Sequence, residues 1–165
     1  MAARLAAVDA PWCVVAGWAL DLYTGGVARE HDDLEIAVPS RRFGEIVTAL
    51  PGYEWHLVGD SDHQTWLYDK PLYRLDVFRE PHVGDTWICR RDNTIRLPYA
   101  ELIIVRDGIP IVIPEVALLF KAKAVRPKDE ADFARVLPAL ADARRERLRD
   151  WLSRVHPGHR WLTRL

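Results

Sequence analysis

Apolar and polar positions alternate through the first two thirds of the chain and then change period. In "DLEIAV" Leu34, Ile36 and Val38 fall on one side of a strand, with Asp33, Glu35 and Ala37 on the other. "PWCVVAG" predicts a short buried strand from Trp12 to Ala16 ending at Gly17, and "WALDLYTGG" two helical turns closed by Gly25 and Gly26. "SRRFGEIVTAL" predicts a helix with Ser40 as its N-cap, stopped by Pro51 and Gly52. "EWHLV", "QTWLYD" and "YRLDVFR" follow as strands, and "ELIIVRDGIPIVIP" as a hairpin turning at Asp107 and Gly108. Glu80 to Asn93 reads as loop. After Pro114 the period becomes helical in "EVALLFKAKAV", "KDEADFARVLPAL" and "ARRERLRDWLSRV", punctuated by Pro127 and Pro138.

This order predicts an α+β fold, a mixed sheet flanked by helices with a helical C-terminal subregion. No linker divides it, so residues 1–165 are expected to form one domain, with a core over about 10–113 and a helical part over about 114–165. Its 165 residues, 49% apolar and 28% charged, suffice for a hydrophobic core without staples. Cys13 and Cys89 lack CxxC spacing and read as small buried hydrophobes. The histidines show neither HxH nor HExxH, which argues against zinc.

The opening residues have no signal-peptide core and no apolar run is long enough to span a bilayer, so a cytoplasmic protein without membrane contact is expected. A net charge of −1 argues against a general grip on nucleic acid. The charge is unevenly placed, however. From Lys121 onward 12 basic residues face 6 acidic ones, whereas the preceding residues hold 11 against 18. Either neighbours simply balance each other, or a metal-chelated polyanion sits between the two parts.

The candidate chemistry lies in "REHDDLEIAV". Asp33 and Glu35 are two apart on a strand and share a face, where two carboxylates repel. A salt-bridged surface pair is one reading; a divalent cation held by oxygen ligands is the other, and magnesium suits such ligands. Asp76 is a further acid in an otherwise apolar strand, among Leu75, Val77 and Phe78. Three carboxylates holding two metals about 3.5–4 Å apart serve in-line displacement at phosphorus.

"VVAGWALDLYTGG" followed by "REHDDLEIAV" resembles the opening of the polymerase-beta-like nucleotidyltransferases, most of all the branch acting on aminoglycoside and lincosamide antibiotics. The matching residues are Gly17 and Trp18, then Arg29, His31, Asp33 and Glu35, with Asp76 at the third acidic position. "PEVALLFKAKAVRPKDEADF" matches a later family segment. The likeness implies Asp33, Glu35 and Asp76 as metal ligands and catalytic groups, two Mg²⁺ ions, an NTP co-substrate such as ATP and a small hydroxyl-bearing acceptor. It implies nucleotide contacts from Gly17, Trp18 and Lys121. Arg29 and His31 could touch the triphosphate or order Asp33, and Arg126 and Lys128 flank Pro127 where cations could approach the same phosphates. Solvated or structural roles fit Lys121, Lys128 and His31 as well. Lys121 and Lys123, about 200° apart around a helix, cannot share a face. Asp129, Glu130 and Asp132 read as complements to a helix dipole.

Two positions depart from the family. Ala16 stands for the first glycine of a pair and Glu35 for a commoner aspartate. The expected activity is transfer of a nucleoside monophosphate to a small molecule. The alternative is a non-catalytic or protein-modifying member of the fold, antitoxin-like or regulatory. Trp87 is a candidate substrate contact, and a homodimer is expected from the small size of the core.

Overall fold

The computed structural model describes residues 1–58, 63–69 and 73–165. A two-residue strand β1 (Cys13–Val14) leads into helix α1 (Ala16–Thr24), which Gly25 ends in the left-handed conformation at φ +81°. Strand β2 (Leu34–Pro39) is followed by a 3₁₀ turn (Ser40–Arg42) and α2 (Phe43–Ala49). The strands β3 (Glu54–Leu57), β4 (Gln64–Asp69) and β5 (Tyr73–Glu80) form a meander. Three short strands, β6 (His82–Val83), β7 (Thr86–Ile88) and β8 (Arg96–Pro98), and a single turn α3 (Tyr99–Leu102) lead to the hairpin β9 (Ile103–Arg106) and β10 (Ile109–Val112). Asp107 and Gly108 turn it with φ of +49° and +77°, the two positive values of a type I′ turn. Helices α4 (Pro114–Lys121), α5 (Pro127–Val136) and α6 (Asp142–Val155) complete the chain with a short 3₁₀ turn, Arg160–Thr163.

A seven-stranded mixed sheet in the order β3-β4-β5-β2-β1-β10-β9 is the frame. β2 lies parallel to β5, and their register sets Glu35 beside Asp76, Ala37 beside Phe78 and Pro39 beside Glu80. Alternation sends Ile36, Val38, Leu75 and Val77 to the opposite face, where none exceeds 1% exposure. That apolar floor holds the acidic edge rigid. α1 packs against α4 and α5, so the helical C-terminal third covers the first helix.

The predicted elements correspond closely, with three corrections. β1 is only two residues long, because Ala16 already begins α1. Ser40 does not cap its helix; it opens the 3₁₀ turn, with Pro39 before it. Residues 80–93 are only partly loop: β6 and β7 lie within them and pair with β8 into a separate three-stranded sheet, whereas 89–93 are turn and irregular chain. Both cysteines are free and buried. Lys121, the last residue of α4, turns inward, and Lys123 is exposed in the turn that follows; because the helix has ended, the expected angular separation does not apply, and both lysines line one cavity. Among the described residues no helix is long and apolar enough to cross a membrane.

Candidate active site

The turn from β1 into α1 is shaped by backbone geometry. Ala16 has φ +53°, a left-handed conformation that costs an alanine about 1–2 kcal/mol and a glycine almost nothing. The next residue, Gly17, is required for a different reason. A Cβ there would lie 2.4 Å from Arg29 Nη2 and 2.6 Å from His31 Cε1, so these side chains rest directly on the helix N-terminus. α1 has no capping side chain and no acid in its first turn, which leaves its first amides available to an anion.

His31 is fixed from two sides. Its Nε2 lies 2.7 Å from Asp21 Oδ2, and its ring stacks on Trp18 with centroids 4.5 Å apart. The Trp18 indole N–H donates to the Asp33 carbonyl at 3.1 Å, tying α1 to the start of β2. Asp21 is 1% exposed and also accepts from the Ala28 amide at 3.1 Å and from the Arg135 guanidinium. It was not a sequence candidate, although an acid inside the apolar run "WALDLY" was a signal that could have found it.

A second buried ionic group faces it. Lys121 Nζ lies 2.8 Å from Asp129 and 3.0 Å from Asp132, two acids almost without solvent. Asp129 accepts as well from the Arg126 amide at 3.0 Å and from its guanidinium at 2.7 Å. Burial pushes the Asp129 carboxyl up, but the Arg126 and Lys121 hydrogen bonds overcome this and hold it well below the usual carboxylate range. Arg29 approaches Asp132 at 3.6 Å. Asp129 and Asp132 thus do more than complement a helix dipole: they position the cations.

Glu35 and Asp76 are register partners on the adjacent strands β2 and β5, and Asp33 stands just before β2. The Arg74 guanidinium bonds Asp33, and its Nε lies 2.7 Å from Asp76 Oδ1. Gln64 donates to Asp76 Oδ2 at 3.1 Å. Burial, then the nearby Asp33 and Asp76 charges, push the Glu35 carboxyl up to about 7. Burial also raises Asp76 against the pull of Arg74. Arg74, stacked over Trp66 at 4.9 Å, was missed from sequence; it lies two residues before Asp76 and so on the same strand face.

A cavity of about 960 Å³ opens over this edge, lined by Arg29, His31, Asp33, Glu35, Lys121 and Lys128 among others. Gly17 and Asp76 are not among the lining residues; Gly17 lies against Arg29 and His31, and Asp76 is paired with Arg74, and those three partners do line the cavity. Among the described residues no three acid, histidine or cysteine side chains are close enough to surround one ion in this arrangement. The donor chemistry nevertheless fits a hard divalent cation. Oxygen ligands sit on registered positions of adjacent strands, and a guanidinium already occupies the place of positive charge between two of them.

Comparison with known proteins bears on the fold. The lincosamide antibiotic adenylyltransferase LnuA, solved with lincomycin bound, superposes with a TM-score of 0.64 at 18% identity, covering 82% of this chain and 91% of its own. ANT(2'')-Ia, solved with adenylyl-2''-tobramycin, gives 0.65 at 18% identity over 92% of each chain. The chain has the nucleotidyltransferase fold. JHP933 from Helicobacter pylori shares that fold, with a TM-score of 0.53 at 16% identity over 97% of this chain and 73% of its own. Residues 1–76, which include the α1 turn and Asp33, Glu35 and Asp76, match the family described as aminoglycoside-2''-adenylyltransferase. No curated protein sequence matches the chain.

Proposed function

We propose that the protein transfers a nucleoside monophosphate from an NTP to a hydroxyl of a small molecule. The observation that carries this reading is the parallel register of β2 and β5, which puts Glu35 beside Asp76 at the mouth of a cavity whose other wall is cationic. Asp33, Glu35 and Asp76 would hold magnesium, two ions in the reading the carboxylate set suggests. When bound, the metal supplies positive charge to the α-phosphate and to the departing pyrophosphate.

The remaining work falls to the chain itself. The first amides of α1, with Arg29 laid over Gly17, receive the triphosphate. Lys121, Arg126 and Lys128 complete the cationic wall. His31, held by Asp21 and Trp18, fixes the entry to the Asp33 strand. Asp76, with a carboxyl raised by burial, takes the proton of the acceptor hydroxyl as its oxygen bonds to the α-phosphorus. The bond from that phosphorus to the bridging oxygen breaks, and pyrophosphate leaves.

Two supports bear on the acceptor. The chain matches an aminoglycoside adenylyltransferase family over residues 1–76, and its structural neighbours were solved with lincomycin and with adenylyl-tobramycin. An antibiotic-like hydroxyl compound is the acceptor class we propose. The test is pyrophosphate release from each NTP with Mg²⁺ across a panel of such acceptors, with Asp33→Asn and Asp76→Asn beside wild type. Release that needs an acceptor and falls by about 10²–10⁴-fold in both variants supports the transferase. Release that persists in both variants removes the carboxylates from the mechanism.

A further inference from the structure

The cavity does not end at the acidic edge. β5 sends Asp76, Phe78 and Glu80 to the same face, about 13 Å from Asp76 to Glu80 at about 3.3 Å per residue, and Phe78 and Glu80 line the cavity. Cys13, opposite Ala37 in β1, lies on that face too. The far end is closed by the element that did not appear in the sequence pattern: Trp87 of β7 and Tyr99 of α3 both line the cavity, and both are more than nine-tenths buried.

The hydrogen bonding of this end is incomplete. Glu80 is satisfied on both oxygens, with the Trp87 indole N–H donating to Oε2 at 3.0 Å and Arg90 bonding Oε1. The Tyr99 hydroxyl, 8% exposed as a residue, has no hydrogen-bond partner among the described residues. An unsatisfied buried hydroxyl is costly, and proteins retain one where something else supplies the bond. Burial, then the nearby Glu80 charge, keep Tyr99 a neutral phenol, able both to donate and to accept.

The charges around this end select the class of guest. The described cavity residues on this side supply three cations, Arg90, Arg91 and Lys123, and one carboxylate, Glu80, already bonded to Arg90. Arg91 donates to the Leu119 and Phe120 carbonyls, each at 3.0 Å, and covers the Phe120 ring at 4.5 Å. A compound with several ammonium groups would meet like charges here and find no free carboxylate. An aromatic or aliphatic body would meet Phe78, Trp87 and Phe120.

We propose that this end is the acceptor subsite, that the Tyr99 hydroxyl bonds the acceptor, and that the acceptor is an uncharged or anionic hydroxyl compound with an apolar body rather than a polycation. The inference rests on Asp76 as the base of the proposed transfer, because the reacting hydroxyl must lie on the Asp76 strand face that leads to Tyr99.

The experiment compares wild type and Tyr99→Phe, each saturated with Mg²⁺ and a non-hydrolysable ATP analogue. Calorimetry then reads binding of 4-nitrophenyl β-glucoside, its glucuronide and tobramycin, with thermal melts in parallel. The expected pattern is binding of one or both aromatic glycosides and weaker or no binding of tobramycin. Tyr99→Phe should weaken the glycosides about tenfold, the size of one hydrogen bond. It should leave the ATP analogue unaffected and the ligand-free Tm unchanged or higher, since no internal bond is lost. Tighter binding of tobramycin than of either glycoside overturns the proposal. So does absence of binding by both glycosides, an unchanged glycoside affinity in Tyr99→Phe, or a weakened ATP analogue, which would make this the base pocket. Loss of analogue binding by wild type would instead count against the nucleotidyltransferase reading itself.

Discussion

Replacing Gly17 with alanine tests the packing on which the anion site depends. The new methyl would lie 2.4 Å from Arg29 Nη2, 2.6 Å from His31 Cε1 and 2.9 Å from His31 Nδ1. Arg29 keeps a quarter of its side chain in solvent and can swing away. His31 cannot move without leaving Asp21 and the Trp18 ring. Losing a hydrogen bond to a buried charged acid costs about 1.5–3 kcal/mol, and alanine returns up to about 1 kcal/mol through its helix propensity. The net loss is about 1–2 kcal/mol, a fall in Tm of about 2–8 °C for a chain of this size. Urea unfolding of wild type, Gly17→Ala, His31→Ala and the double variant reads it as a cycle. The Gly17→Ala penalty should nearly vanish once His31 is gone. An equal penalty in both backgrounds, or a Gly17→Ala protein as stable as wild type, would refute the close approach.

Other outcomes follow from the same geometry. Ala16→Gly relieves the positive φ at a smaller entropic cost in the unfolded chain, so it should raise stability by about 0.5–1 kcal/mol in urea unfolding. Lys121→Met leaves Asp129 and Asp132 buried with one cation fewer and should cost on the order of 3 kcal/mol by the same measurement. Asp129 also gives the protein an acid limb. Because its folded carboxyl lies below the unfolded value near about 4, its contribution is complete above that pH and is lost as pH falls below it. Melts from pH 6 downward, pH values chosen as roughly spanning that range, should show a shallower limb in Lys121→Met than in wild type. Arg74→Gln removes the guanidinium shared by Asp33 and Asp76, so nucleotide-free calorimetry should show Mg²⁺ binding tighten by roughly tenfold. Weaker Mg²⁺ binding in that variant would mean Arg74 supports the ligands rather than occupying their place.

Much of this arrangement is written in short-range pattern. Asp33, Glu35 and Asp76 stand out because each interrupts an apolar alternation, and the Asp107–Gly108 turn carries its own geometry. Other parts depend on register and contact. Nothing local says that β2 and β5 run side by side with Glu35 opposite Asp76, and strands as short as β6 and β7 have no period to detect. The glycine pair shows the difference clearly. Ala16 is visible as a departure in the sequence, but its strain shows only once its φ is known, and the need for Gly17 only once Arg29 and His31 are seen above it. Asp21 and Arg74 were legible in principle, one as an acid in an apolar helix and the other by its two-residue offset from Asp76. Their partners, Arg135 and Asp33, lie too far along the chain for any spacing rule.

The bond between Asp21 and Arg135 also has a bearing on how the protein is made. A ribosome that has released every strand of the seven-stranded sheet has still not released residue 135. Until it does, the acid at the centre of the first helix has no guanidinium to meet, and His31 lacks a settled anchor. The turn that would cradle a triphosphate is encoded at the start of the chain, but its assembly should wait for the fifth helix. A nascent chain stalled short of that helix should carry a formed sheet and an open, unorganised phosphate site.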